Sequence, residues 1–178
     1  MNLCTQRLRL RTLTIEDVDA IYAYSKEKNV GPNAGWKPHK NLEETLEIAK
    51  EIFIDKQTVW GITLKQKELV IGTIGLIEDS KRENDKAKMV GYALSEAYWG
   101  KGIMTEALKE VINYGFKQLP IDLITAYCYP FNVPSRKVLE KCGFEYEGTL
   151  RQAEKRFDGK LYDLRCYSLL RANKSKKD

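Results

Sequence analysis

The sequence predicts an α+β fold, with one domain built on a mixed, mainly antiparallel sheet. Runs with β character outnumber the helical ones, and three of them follow one another with only short polar stretches between, as in an antiparallel meander. Strands and helices do not alternate as in repeated βαβ units, and no linker divides the chain. The 178 residues, 43% of them hydrophobic, suffice for one core. We therefore expect a single domain over residues 1–171 and a disordered basic tail over residues 172–178.

The first part of the chain carries signals for one strand and two helices. Leucine and arginine alternate over residues 7–11, which is typical of a half-buried strand. Two helix starts have the spacing of a capping box, Thr14 with Asp17 and Asn41 with Glu44. Apolar periodicity extends these helices to about residues 28 and 55. Between them, residues 29–40 hold two glycines and two prolines around Trp36, which is the composition of a loop.

The rest of the chain supplies the remaining strands and two more helices. The strands are predicted over residues 59–64, 69–77, 89–94, 123–129, 144–151 and 161–170. A long helix over residues 102–119 has its apolar side chains on one face and stops at Pro120. A shorter helix over residues 132–142 has Asn132 as its cap and Gly143 just past its end. The sheet should therefore have six or seven strands, flanked by about four helices.

Charge and cysteine usage exclude several classes of function. The 30 basic and 25 acidic residues are interspersed, so the net charge of +5 helps to steer polyanionic ligands but forms no concentrated nucleic-acid-binding face. The four cysteines show no CxxC spacing, and with a single histidine they offer no metal site. No apolar run is long enough for a membrane span, and no signal peptide is visible, so we expect a cytoplasmic protein.

The turn before the long helix is the strongest candidate binding feature. Trp99 to Thr105 contains Gly100 and Gly102 at the point where the helix begins. Free first-turn amides and the helix dipole favour an anion there, and glycine lets the backbone approach a phosphate closely. Taken alone, the motif fits a plain tight turn as well as it fits an anion site. If the strand over 123–129 runs parallel to the strand over 89–94, however, the helix starting at Asn132 adds a second N-terminus to the same crevice.

The motifs, taken in order, resemble the GCN5-related N-acetyltransferase (GNAT) superfamily, and within it the Rim-type branch of ribosomal-protein N-terminal acetyltransferases. The matching segments cover nearly the whole chain: residues 7–11, 35–38, 98–102, 132–135 and 142–145, Asp163, and residues 167–170. The resemblance implies acetyl-CoA as donor, an amine as acceptor and direct transfer without a covalent enzyme intermediate. It also implies a sheet with a central splay between two parallel strands.

The resemblance further implies a coenzyme site made largely of backbone groups. The amides of the turn would bind the pyrophosphate, the strand ending at Leu94 would pair its backbone with the pantetheine arm, Asn132 would contact that arm, and Ser135 would lie near the sulfur. The implied coenzyme-binding residues are Ala93, Leu94, Trp99, Gly100, Lys101, Gly102, Ile103, Met104, Thr105, Asn132 and Ser135.

Two positions depart from the superfamily pattern. Ala97 stands where a Gln or Arg usually begins the turn, and little should be lost because the phosphate is held by backbone groups. Leu139 stands where many members carry the tyrosine that protonates the departing thiolate. The Rim-type branch resembles this chain in having Ser135, which we therefore assign as the candidate general acid.

The general base and the acceptor pocket stay open at this stage. The candidate bases are Glu78, Glu145 and Asp163, each acting through water. The candidate acceptor contacts are Trp36, His39 and Tyr92. The lack of an obvious base favours α-amines, whose pKa is about 7.7–8.0 against about 10.4 for lysine, because they deprotonate more easily.

Several alternatives stand beside an enzyme that acetylates a protein N-terminus. The acceptor could be a small amine or an antibiotic, or the domain could bind acyl-CoA without chemistry. Trp36 either shapes a pocket or covers the core edge, and His39 is either functional or simply an exposed loop residue. Tyr127, Tyr129 and Phe131 either pack along a strand or form a cage for the acceptor. Assembly into a homo-oligomer also stays open.

Overall fold

Eight strands form one open sheet in the computed structural model, which describes residues 1–171. They are β1 (Leu3–Cys4), β2 (Leu8–Arg11), β3 (Val59–Leu64), β4 (Lys67–Ile77), β5 (Ala87–Leu94), β6 (Leu123–Cys128), β7 (Glu145–Lys155) and β8 (Leu161–Leu170). Their order is β1-β2-β3-β4-β5-β6-β8-β7, and every neighbouring pair is antiparallel except β5 with β6. The predicted α+β class and mixed, mainly antiparallel sheet are confirmed. The strand beyond the expected seven is β1, whose two residues are too short to show a pattern, and the predicted tail lies outside the described residues.

Five α-helices accompany the sheet within residues 1–171, one more than expected. They are α1 (Val18–Ser25), α2 (Val30–Ala34), α3 (Leu42–Ile52), α4 (Ile103–Gln118) and α5 (Val133–Lys141). The extra helix, α2, lies inside the predicted loop over residues 29–40. Its five residues give no periodicity, and Gly35 ends it in the left-handed region at φ 99°. The first helix is also shorter than predicted, since it begins as a single 3₁₀ turn over Ile15–Asp17.

Two helical layers cover the sheet, one on each face. On one face, Leu108 of α4 and Leu139 of α5 belong to the same buried core as Ile124 of β6. On the other face, Ile21 of α1 and Ala49 of α3 form a second core. The helices of the second core, α1 to α3, precede the central strands in the chain. The helices of the first core lie in later connections: α4 joins β5 to β6, and α5 joins β6 to β7.

The two parallel strands separate soon after they pair. Their register runs only from Ala87 opposite Leu123 to Met89 opposite Thr125. Beyond these residues β5 stays paired with β4 as far as Leu94, and β6 stays paired with β8. Each strand therefore turns one side of its backbone toward a gap. The splay that the resemblance implied is confirmed.

Candidate active site

A cleft of about 1090 Å³ opens where β5 and β6 separate. Most of the predicted site residues line it: Trp36, Glu78, Tyr92, Ala93, Leu94, Trp99, Gly100, Gly102, Ile103, Met104, Thr105, Asn132 and Ser135. Lys101, His39, Glu145 and Asp163 are not among the lining residues. The fold thus gathers the donor-side residues at one place and separates them from three of the residues predicted for catalysis or acceptor binding.

The glycine turn has the backbone conformation that an anion site needs. Gly100 and Gly102 both lie in the left-handed region at φ 72°, where a side chain would be strained. The first helical bond of α4 runs from the Glu106 amide to the Gly102 carbonyl, so the amides of residues 103–105 have no partner within the helix. Lys101 points elsewhere, because its ammonium group donates to the Ala97 carbonyl at 2.7 Å. The turn therefore offers backbone N–H groups rather than a lysine.

A salt bridge from Arg7, the residue before β2, holds this turn in place. The Arg7 guanidinium lies 2.6 Å from the Glu106 carboxylate and also donates to the Lys101 carbonyl at 3.0 Å. The Thr5 hydroxyl donates to the same carboxylate at 2.5 Å. Burial alone would raise the pKa of Glu106, but the bonds from Thr5 and Arg7 outweigh it and lower that pKa. Because Arg7 offsets the negative charge of Glu106, this carboxylate can lie in the first turn of α4 next to the anion site.

The start of α5 is fixed by Asn132. Its side-chain oxygen accepts the Ser135 amide at 3.1 Å, which caps the helix, and its amide group donates to the carbonyl of Asn33 in α2 at 2.9 Å. The predicted cap is confirmed. The same side chain ties the coenzyme side of the cleft to α2, so Asn132 links two walls that are distant in the sequence.

Ser135 and Tyr92 form a hydroxyl pair at the splay. The Tyr92 hydroxyl and the Ser135 Oγ are 2.9 Å apart. Burial raises the pKa of Tyr92 and the Ser135 hydrogen bond opposes that shift only in part, so the phenol stays protonated near neutral pH. Tyr92 was predicted as an acceptor contact, but its hydroxyl instead bonds to the candidate general acid. Leu139, at the position of the usual tyrosine, is 1% exposed and belongs to the core.

The three carboxylates predicted as candidate bases lie in different places. Glu78 lines the cleft, but its side chain is 82% exposed and is paired with Lys88. Glu145 is an exposed residue at the start of β7, opposite Ser168, and lies away from the cleft. Asp163 accepts the Gln152 amide at 2.8 Å and does not line the cleft either. Neither Glu145 nor Asp163 is placed to take a proton from an amine bound there.

His39 is buried rather than exposed, and it lies apart from the cleft. Its side chain is packed so that the residue is only 7% exposed, and Nδ1 lies 3.0 Å from the Thr45 hydroxyl at the start of α3. The backbone amide of His39 donates to the Ser25 carbonyl at the end of α1. The structure therefore places His39 outside the cleft and not exposed, because tertiary packing between α1 and α3 encloses the ring.

Glu154 is one of three acidic cleft residues that sequence reasoning missed, the others being Glu51 and Asp55. It lines the cleft, and its Oε1 accepts a hydrogen bond from the Tyr129 hydroxyl. Burial and this carboxylate both raise the pKa of Tyr129, so the phenol stays a donor. A Cβ at Gly35 would lie 3.1 Å from the Tyr129 hydroxyl and 3.2 Å from Glu154, which places the carboxylate against the end of α2. The predicted strand ended at Arg151, so no local pattern marked Glu154.

The aromatic residues near Glu154 enclose a cation of the protein itself. The Arg156 guanidinium carbon lies 5.1 Å from the ring centre of Tyr129, 5.8 Å from that of Phe131 and 4.6 Å from that of Tyr162. Tyr129 and Phe131 are stacked at 5.1 Å. Arg156 is 9% exposed. These rings therefore bind Arg156 by cation–π contacts and anchor the end of the β7–β8 hairpin beside the cleft.

The comparisons with known proteins agree with this geometry. A family model described as the acetyltransferase (GNAT) domain matches residues 7–145. The chain belongs to this family. The N-acetyltransferase p20 of Bacillus licheniformis, itself described as uncharacterized, is 34% identical over 95% of this chain and 96% of its own length.

Two solved structures illustrate the range of proteins that share the fold of this GNAT acetyltransferase. The microcin C7 self-immunity acetyltransferase MccE, solved with acetyl-CoA and AMP, has a TM-score of 0.80 at 24% identity over 94% of each chain. The ribosomal-protein-S5-alanine acetyltransferase of Vibrio fischeri has a TM-score of 0.76 at 24% identity over 97% of this chain and 98% of its own.

Acetyl-CoA is the donor substrate of this GNAT acetyltransferase. The left-handed glycine turn and the free amides of α4 suit its pyrophosphate, and the unpaired edge of β5 suits its pantetheine arm. Among residues 1–171, no group of three or more His, Cys, Asp or Glu side chains could hold a metal ion, and no helix is long and apolar enough to cross a membrane.

Proposed function

We propose that this GNAT acetyltransferase transfers the acetyl group to the α-amine at the N-terminus of a protein or peptide. In the proposed reaction, Ser135 acts as general acid with Tyr92 as its partner, and Glu154 takes the place of the bases predicted from the sequence. The proposal rests above all on one observation: the hydroxyl pair and the carboxylate line the same cleft from opposite faces of the sheet.

The alternation of side chains along β8 supports this placement. Tyr167 packs in the core beneath α4 and α5, so the even-numbered residues of β8, such as Tyr162, point to the other face. Glu154 is paired in register with Tyr162 and therefore shares that face. Ser135 belongs to α5, on the first face. The gap between β5 and β6 is thus the place where a thioester from one side can meet an amine from the other.

The proposed chemistry is direct attack of the amine nitrogen on the thioester carbonyl carbon. A C–N bond forms, the carbonyl oxygen becomes an oxyanion, and a backbone N–H of residues 90–92 on the open edge of β5 would stabilise it. The C–S bond then breaks. The coenzyme thiolate takes a proton from the Ser135 hydroxyl, which Tyr92 can replenish, and the amine gives its proton to Glu154, directly or through water.

Two considerations favour an α-amine over a lysine side chain. An α-amine has a pKa of about 7.7–8.0, so roughly a tenth of it is already neutral at pH 7, whereas lysine at about 10.4 is less than about 0.1% neutral and needs a much stronger base. One oxygen of Glu154 also accepts a hydrogen bond from Tyr129, so only the other oxygen is left to receive a proton. This arrangement suits an amine that deprotonates easily. The fold neighbour that is an S5-alanine acetyltransferase supports a protein N-terminus, while the microcin C7 self-immunity acetyltransferase has the same fold and a different described role, so small amines stay the competing class.

The test is acetyl transfer to a matched acceptor panel. One peptide that carries both a free N-terminus and an internal lysine is compared with the same peptide blocked at the N-terminus, with polyamines and with free amino acids. Thiol release gives the rate, and mass spectrometric fragmentation locates the acetyl group. We expect modification of the α-amine alone and no reaction of the blocked peptide.

Variants at the assigned groups complete the test. Glu154→Gln and Ser135→Ala should each lower kcat by roughly 10²–10⁴-fold, because a proton-transfer group is lost, while the Kd for coenzyme A stays within about threefold. Glu78→Gln is the matched control, since that carboxylate is exposed and paired with Lys88. Preferred acetylation of a polyamine would assign the small-amine class instead. Tight coenzyme binding without turnover of any acceptor in the panel would overturn the proposed reaction.

A further inference from the structure

The strand β7 carries a bulge just before Glu154. Leu150 is paired with Leu164, and Glu154 is paired with Tyr162, so residues 151–153 stand opposite the single residue Asp163. A regular antiparallel ladder would place one residue there instead of three. Two residues are therefore inserted into β7 at this point.

The bulge is held by one side-chain contact and contains one unusual backbone conformation. The Asp163 carboxylate accepts the backbone amide of Gln152 at 2.8 Å. Gln152 has φ 48°, in the left-handed region, which residues other than glycine rarely adopt. An amide in such a bulge cannot reach its normal ladder partner, so the Asp163 oxygen replaces the missing carbonyl.

The inserted residues determine where Glu154 lies. In a regular ladder continuing from Leu150 and Leu164, Gln152 would face Tyr162, and Glu154 would face Lys160, outside β8. At about 3.3 Å per residue, the two-residue shift moves Glu154 by roughly 7 Å along the strand. The shift keeps Glu154 on the same face as Leu164, which lines the cleft, and brings it to the Tyr129 hydroxyl.

We propose that Asp163 is a positioning residue: its carboxylate holds the bulge in β7 and thereby places Glu154 at the acceptor side of the cleft. The inference rests on the proposed role of Glu154 in acetyl transfer. Asp163 itself does not line the cleft and makes no contact with the reacting groups. Its carboxylate accepts the Gln152 backbone amide, and the position of that amide fixes the register of β7 against β8.

The test compares a variant that removes the acceptor oxygen with two that preserve the bulge. Asp163→Leu should lower kcat/KM for the acceptor by about 10²-fold, because misplacing a reacting group by an ångström or more has effects of that size. Asp163→Asn keeps an oxygen for the Gln152 amide and should retain most of the activity. Gln152→Gly, added to Asp163→Leu, should restore much of it, because glycine adopts the left-handed region without strain.

A double-mutant cycle separates positioning from general destabilisation. Because Asp163 acts through Glu154, Asp163→Leu should cause little further loss in the Glu154→Gln background, whereas independent effects would multiply. Asp158→Asn is the matched control: this carboxylate lies in the same hairpin and accepts the Lys160 amide and the Tyr162 hydroxyl, each at 3.1 Å, but it does not contact the bulge. The control should leave kcat/KM within about threefold and the Kd for coenzyme A unchanged.

A crystal structure of the Asp163→Leu variant gives a readout that does not depend on activity. We expect Glu154 to lose its pairing with Tyr162 and its contact with Tyr129. An unchanged register in that variant, or full losses in both backgrounds of the cycle, would overturn the role of Asp163. Full activity of Glu154→Gln would instead remove the base assignment in the proposed function, and the register of Asp163→Leu would still decide whether the carboxylate holds the bulge.

Discussion

At the scale of single residues, His39 offers a direct test of burial. The Thr45 hydroxyl donates its one proton to the Asn41 carbonyl at 2.9 Å, so His39 Nδ1 must carry the proton shared between the ring and Thr45. Burial lowers the pKa of His39 below 6.5, and the Glu44 carboxylate offsets only part of this. Since this is the only histidine of the chain, its titration can be followed without ambiguity.

We predict that the folded protein loses stability when the pH falls below about 6.5, the pKa of an unfolded histidine. The unfolded chain binds the proton first, so the loss begins there and levels off once the pH is below the lowered folded pKa. The His39 Cε1 proton in NMR spectra should titrate with a midpoint below 6.5. The fall in Tm between pH 7 and pH 5 should be smaller in His39→Gln. A midpoint at or above 6.5 would contradict the burial argument.

The range of each contact along the chain explains which features could be predicted from the sequence. The turn glycines and the Asn132 cap are set by bonds within a few residues, and both could be predicted from local pattern. The pair of Tyr92 with Ser135 joins residues 43 apart, and the burial of His39 needs two helices to pack. Such contacts depend on tertiary structure, and no short motif records them.

At the scale of elements, the glycine turn predicts that a side chain at Gly102 lowers the affinity for coenzyme A in addition to lowering stability. Gly102→Ala adds a Cβ with only an ordinary contact to Arg7 at 3.5 Å, so the folded chain has room for it. The left-handed backbone should cost about 1–2 kcal/mol in the free energy of unfolding. The methyl group would also stand where the backbone must approach the pyrophosphate, so the affinity for coenzyme A should fall by a further factor of about 10, measured by calorimetry.

Gly159→Ala is the matched control for this prediction. Gly159 has φ 79° in the β7–β8 turn, and a Cβ there would meet no heavy atom within 4 Å. It should show a similar loss of Tm with an unchanged Kd for coenzyme A. Equal losses of affinity in both variants would mean that Gly102 acts through stability alone and that the turn does not bind the coenzyme.

Elements were predictable where their signal was local and long, and less so where it was short or irregular. The bounds of β8 agree with the predicted strand over residues 161–170, and α4 and α5 agree within one or two residues at each end. β1 and α2 have two and five residues, too few for a period to appear. The bulge in β7 results from pairing with β8 and from the Asp163 contact, so the sequence placed the end of that strand four residues early.

At the scale of the whole molecule, the site depends on a defect in an otherwise continuous sheet. Helices α4 and α5 pack on one face, and α1 to α3 on the other, so the sheet is held rigid on both sides of the splay. The gap is therefore maintained by packing on both faces together with the hydrogen bonds of Tyr92 to Ser135 and of Asn132 to Asn33 beside it. Parallel pairing between residues more than 30 apart has no local signature. The splay could therefore be predicted only from the family resemblance, which rests on several short motifs taken together.

The splay predicts which backbone amides will exchange more slowly with solvent when the coenzyme binds. If the pantetheine arm pairs with the open edge of β5, acetyl-CoA should slow amide hydrogen exchange in residues 90–94 and in the turn over residues 99–105. The hairpin turn over residues 156–160 lies in another part of the fold and should exchange at the same rate with and without ligand. At a concentration of 100 times Kd, the ligand should add about 2.7 kcal/mol to the stability and raise Tm. Protection of the turn without protection of residues 90–94 would show that the coenzyme binds by its pyrophosphate alone and that the gap in the sheet serves another purpose.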